Sequence, residues 1–251
     1  MKAIRKNVLI TGASSGLGAG MAREFAKHGC NLALCARRVD RLETLSTELR
    51  TSYPGIKISV RSLDVRNYDQ VFEVFKSFRD DLGSLDRVVV NAGMGKGASV
   101  GTGKFYANRQ TAETNFVAAL AQCEAAVEIF RAQNAGHLVT ISSASAVRGM
   151  PRALTTYAAT KAALTTLTEG IRADLLDTPI KVTAIHPGFI RSEINEKLKK
   201  TPFMVDTETG CRALVKAIEK EVPSAFVPAW PWGVLRYAMQ MLPLRMVSKM
   251  A

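Results

Sequence analysis

Seven short apolar runs rich in β-branched residues, separated by stretches of helical pattern, set the strongest constraint on how this chain can fold. The runs lie at 7–11, 31–36, 57–63, 85–91, 136–142, 181–186 and 225–227. Helical patterns fall near 16–28, 39–51, 67–82, 108–133, 156–176 and 206–221. An apolar run without polar alternation suits a strand covered on both faces. Strand, helix, strand in regular succession builds βαβ units, and right-handed crossovers then place helices on both faces of a parallel sheet. The expectation is one doubly wound α/β domain of the Rossmann type over 1–251, with about seven strands and its ligands at their carboxyl ends.

Nothing resembles a linker between domains. Residues 189–209 have little apolar periodicity and read as a long substrate loop. From 223 to 251 the chain becomes an apolar tail that crowds Phe226, Trp230, Trp232, Leu235, Tyr237 and four methionines from Met239 on, with Arg236, Arg245 and Lys249 and no acid.

Charge and cysteine usage exclude several classes. The formal net charge is +12, from 34 Lys+Arg against 22 Asp+Glu, which favours anionic partners. The basic residues are scattered, with no run of five and no zinc-finger or zipper pattern, so nucleic acid is not expected as a partner. The cysteines Cys30, Cys35, Cys123 and Cys211 form no CxxC pair, and His28, His137 and His186 lie far apart, so no metal site is expected. Reduced thiols point to a cytoplasmic protein. The start has only a short apolar run, and no 18-residue apolar stretch occurs anywhere, so neither signal peptide nor spanning helix is expected.

The first strand runs straight into Thr11-Gly12-Ala13-Ser14-Ser15-Gly16-Leu17-Gly18, with a helical pattern behind it. Glycines let the backbone turn sharply and approach a ligand, and the helix start offers free N–H groups to a phosphate. A tight turn without a ligand is the plain alternative. At the end of the second strand, Arg37-Arg38 stands where a site for an unphosphorylated dinucleotide usually has an acid for the ribose 2′-OH. Guanidinium groups match a 2′-phosphate, which favours NADP(H); two solvated arginines are the alternative.

Tyr157 and Lys161 lie four apart in a helical pattern and so share a face. A nearby ammonium lowers a phenol's pKa toward working pH and lets it exchange a proton. A surface pair is the bland reading. Upstream, a strand ends in Ser142-Ser143, where a hydroxyl could polarise a carbonyl or merely cap a turn. Asn115 interrupts an apolar helical pattern, either as a third partner or as a solvent-exposed residue.

Together these motifs resemble the short-chain dehydrogenase/reductase family over nearly the whole chain. The matching elements are Thr11-Gly12-(x)3-Gly16-x-Gly18, Asp64-Val65, Asn91-Ala92-Gly93, Asn115, Ile141-Ser142-Ser143, Tyr157-(x)3-Lys161 and Pro187-Gly188, in family order. The resemblance implies that Tyr157 is general acid in reduction and base in oxidation. Lys161 would lower its pKa and hold the nicotinamide ribose. Ser143 would orient the carbonyl, and Asn115 would support a water chain through Lys161. For the cofactor it implies contacts from Gly12, Ser14, Ser15, Gly16, Leu17, Gly18, Arg37, Arg38, Asp64, Val65, Asn91, Ala92, Gly93, Tyr157, Lys161, Pro187, Gly188, Ile190 and Ser192. It also implies a homodimer or homotetramer.

The sequence departs from the family pattern in places. The gap from Ser143 to Tyr157 is one residue longer than usual, which keeps Ser142 and Ser145 as substitutes. Ser192 stands where Thr is common, and Val90 precedes Asn91 where a first Asn is common. The expected activity is hydride transfer between NADP(H) and a carbonyl or alcohol. The aromatic, methionine-rich tail suggests a bulky apolar substrate, though it could instead cover the core or an oligomer contact, or touch a membrane weakly. The other readings are a non-catalytic NADPH-binding sensor or scaffold of the same fold, and a basic protein binding membrane or nucleic acid.

Overall fold

The structure, a computed structural model, describes residues 5–95, 97–193 and 203–249. Seven strands are observed: β1 (Asn7–Thr11), β2 (Asn31–Ala36), β3 (Ile58–Ser62), β4 (Arg87–Val90), β5 (His137–Ile141), β6 (Lys181–Pro187) and β7 (Ser224–Val227). They form one all-parallel sheet in the order β3-β2-β1-β4-β5-β6-β7. The order reverses between β1 and β4. At that point the crossovers diverge to opposite faces and open a crevice above the strands' carboxyl ends.

The helices α1 (Gly16–Lys27), α2 (Val39–Ser52), α3 (Tyr68–Leu82), α4 (Phe105–Ala112), α5 (Ala118–Gln133), α6 (Leu154–Asp174) and α7 (Thr207–Glu219) cover the sheet. Their placement follows from their patterns. In α3, Val71, Val74, Phe75 and Phe78 recur at helical spacing and are all buried. Its start is capped by Asn67, whose side chain accepts from the Gln70 N–H, and its end by left-handed Gly83. One core cluster gathers Val8, Ile10, Phe25, Leu34 and Leu214; a second, on the other face, gathers Leu9, Phe75, Phe78, Val88 and Phe130. Alternate residues of β1 thus feed opposite cores, as a strand buried on both faces requires.

Two segments differ from expectation. The helix expected over 108–133 is broken: Glu113–Val117 forms a π turn between α4 and α5. The apolar tail carries helices that its pattern does not predict. It folds as β7, then α8 (Ala229–Met241) and the short α9 (Leu244–Val247). Prolines at 228, 231 and 243 mask the helical pattern, yet Pro228 and Pro243 sit at the N-caps of α8 and α9, where a missing N–H costs nothing.

Candidate active site

The glycine turn and the end of β4 are locked together by side-chain bonds. Thr11 Oγ1 accepts from the backbone N–H of Asn91 at 3.1 Å and of Ala92 at 3.0 Å. Asn91 Nδ2 donates to the Thr11 carbonyl at 2.8 Å. Gly12 takes φ +66°, and a Cβ there would lie 2.9 Å from Ala92 Cα. A Cβ at Gly18 would lie 2.4 Å from the Gly12 carbonyl oxygen. Both positions therefore require glycine for close approach of backbone to backbone.

This cradle fits a dinucleotide. Helix α1 begins beside it, and Ser15 at its N-cap makes no side-chain cap bond, so the first-turn N–H groups are not used by that side chain. Arg38 lies across the turn, donating to Ser14 Oγ at 3.3 Å and Ser15 Oγ at 2.6 Å. Arg37 is exposed near Asp64, whose carboxyl is held below its ordinary range first by a hydrogen bond from Arg66. Val65 is buried beside it. Gly93, after β4, leaves open the space where a Cβ would sit 3.3 Å from Asn115 Oδ1 and 3.6 Å from Lys161 Nζ. Leu17 packs from the same turn into the core.

Asn115 is buried, which overturns the solvent-exposed alternative. Its Oδ1 accepts from the Met94 N–H at 2.8 Å and its Nδ2 donates to the Met94 carbonyl at 2.9 Å. The π turn that carries it explains both the disrupted pattern and the inward aim, and such turns often mark functional sites.

Ser142 and Ser143, adjacent at the end of β5, face opposite ways. Ser142 Oγ is buried and donates to the Lys161 carbonyl at 2.9 Å, with Thr165 Oγ1 at 2.8 Å. That turns it toward the backbone of α6. Ser143 caps a short 3₁₀ turn, Ala144–Val147, accepting from the Ser145 N–H at 3.1 Å and hydroxyl at 2.9 Å. Its side chain also neighbours the Tyr157 phenol closely enough to lower that phenol's pKa. Ser145 thus fixes the Ser143 hydroxyl through two donated hydrogen bonds.

The phenol does not carry the depressed pKa expected from its sequence neighbour. Burial raises it, and the neighbouring Ser143 side chain opposes that rise. The physical reason is the aim of Lys161. Its Nζ lies 6.0 Å from the Tyr157 ring centroid and donates to the Ile141 carbonyl at 2.7 Å. Burial lowers the Lys161 ammonium to about 8.

On the far wall, Pro187 ends β6, and the Gly188 N–H donates to the Val227 carbonyl at 2.8 Å. Ile190 is buried and its side chain fills the space above Gly210, while residues 189–191 pair with Val205. Ser192 sits against Gly16. Residues 194–202 of the expected substrate loop lie outside the described residues.

Several site residues escaped the sequence reading. Trp232 of α8 packs on Gly188 and meets Phe189 edge-on at 5.4 Å. His186 stacks on Phe226 at 4.6 Å; burial lowers its pKa to about 4, so its ring is neutral. Arg148 donates to the Met239 carbonyl at 2.8 Å and to the Leu242 carbonyl, tying the end of α8 to the segment that follows Ser143. Arg41 and Glu193 pair near the glycine turn. Only the apolar crowding of the tail hinted at Trp232; the others gave no local signal.

All four cysteines are free and buried. No described helix is long and apolar enough to cross a membrane, and no group of three or more metal-ligating side chains occurs among the described residues.

A model of the family described as short chain dehydrogenase matches residues 6–202. An uncharacterized oxidoreductase of Mycobacterium tuberculosis is 52% identical over 247 residues, spanning 98% of each chain. Among solved structures, the bulky-bulky ketone specific alcohol dehydrogenase from Comamonas testosteroni is similar, with a TM-score of 0.78 and 28% identity over 94% of this chain and 92% of that one. A short-chain dehydrogenase from Sphingobium yanoikuyae in complex with NADPH gives a TM-score of 0.81 and 26% identity, covering 93% of both chains.

Proposed function

The chain belongs to the short-chain dehydrogenase/reductase family, and on that premise we propose that it moves a hydride between NADP(H) and a carbonyl or secondary alcohol of a bulky apolar substrate. The observation that carries this reading is the grouping of Asn115, Ser143, Tyr157 and Lys161 beside the crevice where β1 and β4 diverge. A sensor or scaffold of the same fold would have no use for a phenol and a hydroxyl set side by side there.

In this reading the nicotinamide supplies the hydride when bound. Tyr157 holds the proton at Oη and delivers it to the carbonyl oxygen as negative charge develops. Ser143, fixed by Ser145, hydrogen-bonds the same oxygen. Lys161 sets the local charge, holds the ribose and passes protons inward through the polar contacts of Asn115. Burial raises the phenol's pKa and so keeps Tyr157 protonated, with a proton to give in reduction.

The 2′-phosphate preference rests on Arg37 and Arg38, with Ser14 and Ser15 beside Arg38. A bulky apolar substrate is supported by the aromatic wall of Phe189, Phe203 and Trp232, and by the name of the Comamonas testosteroni relative. The exposed stripe Trp230, Val234, Tyr237 and Met241 on α8 favours a further contact, with a second copy of the chain in a homodimer or homotetramer or weakly with a membrane surface. Buried free thiols accord with a cytoplasmic location. A screen pairing NADPH and NADH with small, steroidal and long-chain ketones tests the proposal. Turnover of bulky ketones with NADPH is expected; tight NADPH binding with no turnover across the panel would favour the sensor.

A further inference from the structure

Glu193 lies six residues past the end of β6, yet its carboxylate is seated at the glycine turn. One oxygen accepts from Arg41 at 2.5 Å and the other from Arg38 at 3.1 Å, while the same Arg38 also donates to Ser15 Oγ at 2.6 Å. Ser192, its neighbour, rests on Gly16. These donors hold the carboxyl below its ordinary range, Arg41 most strongly. The cradle therefore holds an anion on two guanidinium groups beside Ser15 at the start of α1. Forked, charge-assisted donors of this kind also suit a phosphate.

Resting on the NADP(H) reading above, we infer that Glu193 is a built-in competitor for the cofactor's 2′-phosphate and so tunes discrimination between phosphorylated and unphosphorylated dinucleotide. A 2′-phosphate carries more charge than a carboxylate and outcompetes it on Arg38 and Arg41. Its arrival displaces the Glu193 side chain from the two guanidinium groups. An unphosphorylated dinucleotide leaves the Glu193 pairs in place. The inference also adds Arg41 to the residues that meet the 2′-phosphate.

Both ion pairs are partly exposed, with side chains 42–46% accessible, so each is individually weak. The gain on removing the competitor is therefore about three- to tenfold, not orders of magnitude. Direct binding tests this by fluorescence titration of NADPH and NADH, and by calorimetry with adenosine 2′,5′-bisphosphate. Glu193→Gln should tighten NADPH and the bisphosphate by that factor and leave NADH unchanged. NADPH affinity that is unchanged or weaker in Glu193→Gln, in a protein that still prefers NADPH, overturns the role of Glu193 alone. Equal NADPH and NADH affinity in the unaltered protein, insensitive to Arg38→Ala, overturns the cofactor reading and the inference with it.

Discussion

Lys161 Nζ donates to the carbonyl oxygen of Ile141 at 2.7 Å, so the ammonium is fastened to the last residue of β5 and not to the phenol one turn before it. Because burial lowers this ammonium from 10.5 to about 8, its charge is lost within an accessible range. NADPH affinity, followed by nucleotide fluorescence, should hold up to about pH 8 and weaken above it. Lys161→Met should bind more weakly and lose that alkaline limb. For stability the sign is opposite. Between about 8 and 10.5 the unfolded chain keeps the proton that the folded one has released, so this group adds stability as pH rises through that window.

Ser142 and Ser143 separate structure from chemistry at adjacent positions. Ser142→Ala removes a buried hydroxyl bonded to α6 and should cost about 1–2 kcal/mol in denaturant unfolding while leaving most turnover. Ser143→Ala should lower kcat about 100-fold with little change in unfolding. The reverse pattern would assign the catalytic hydroxyl to Ser142.

Gly18→Ala forces a methyl to within 2.4 Å of the Gly12 carbonyl oxygen, a backbone atom with little room to yield. Loss of NADPH affinity by tenfold or more is expected, with a lowered Tm. Retained affinity would mean that the turn does not hold the cofactor as described.

Arg148→Ala releases the end of α8 from the segment after Ser143. If α8 walls the substrate pocket, KM for steroidal ketones should rise several-fold while KM for small ketones moves little. Equal shifts for both would place α8 outside the pocket.

The architecture was legible because both its signals are local: apolar runs give the strands, and helical spacing places Tyr157 and Lys161 on one face. The glycine turn was legible because backbone close approach admits almost no other residue. The π turn around Asn115 was not, since a π turn keeps helical composition and adds no marker residue. Which serine faces the site was not legible either. Alternation along β5 decides it, and one residue of register reverses the answer. Glu193 meeting Arg38 is a contact across 155 positions with no periodicity behind it. The Tyr157 pKa was misjudged because helical spacing fixes a shared face but not where a long side chain aims its tip.

The most direct measurement is NADPH oxidation by the unaltered protein and by Tyr157→Phe on an accepted bulky ketone, alongside NADPH binding to both. Turnover should fall by about 100-fold or more with affinity for NADPH within about threefold of the parent. Turnover near the parent value in Tyr157→Phe would contradict the assignment of this phenol as the proton donor.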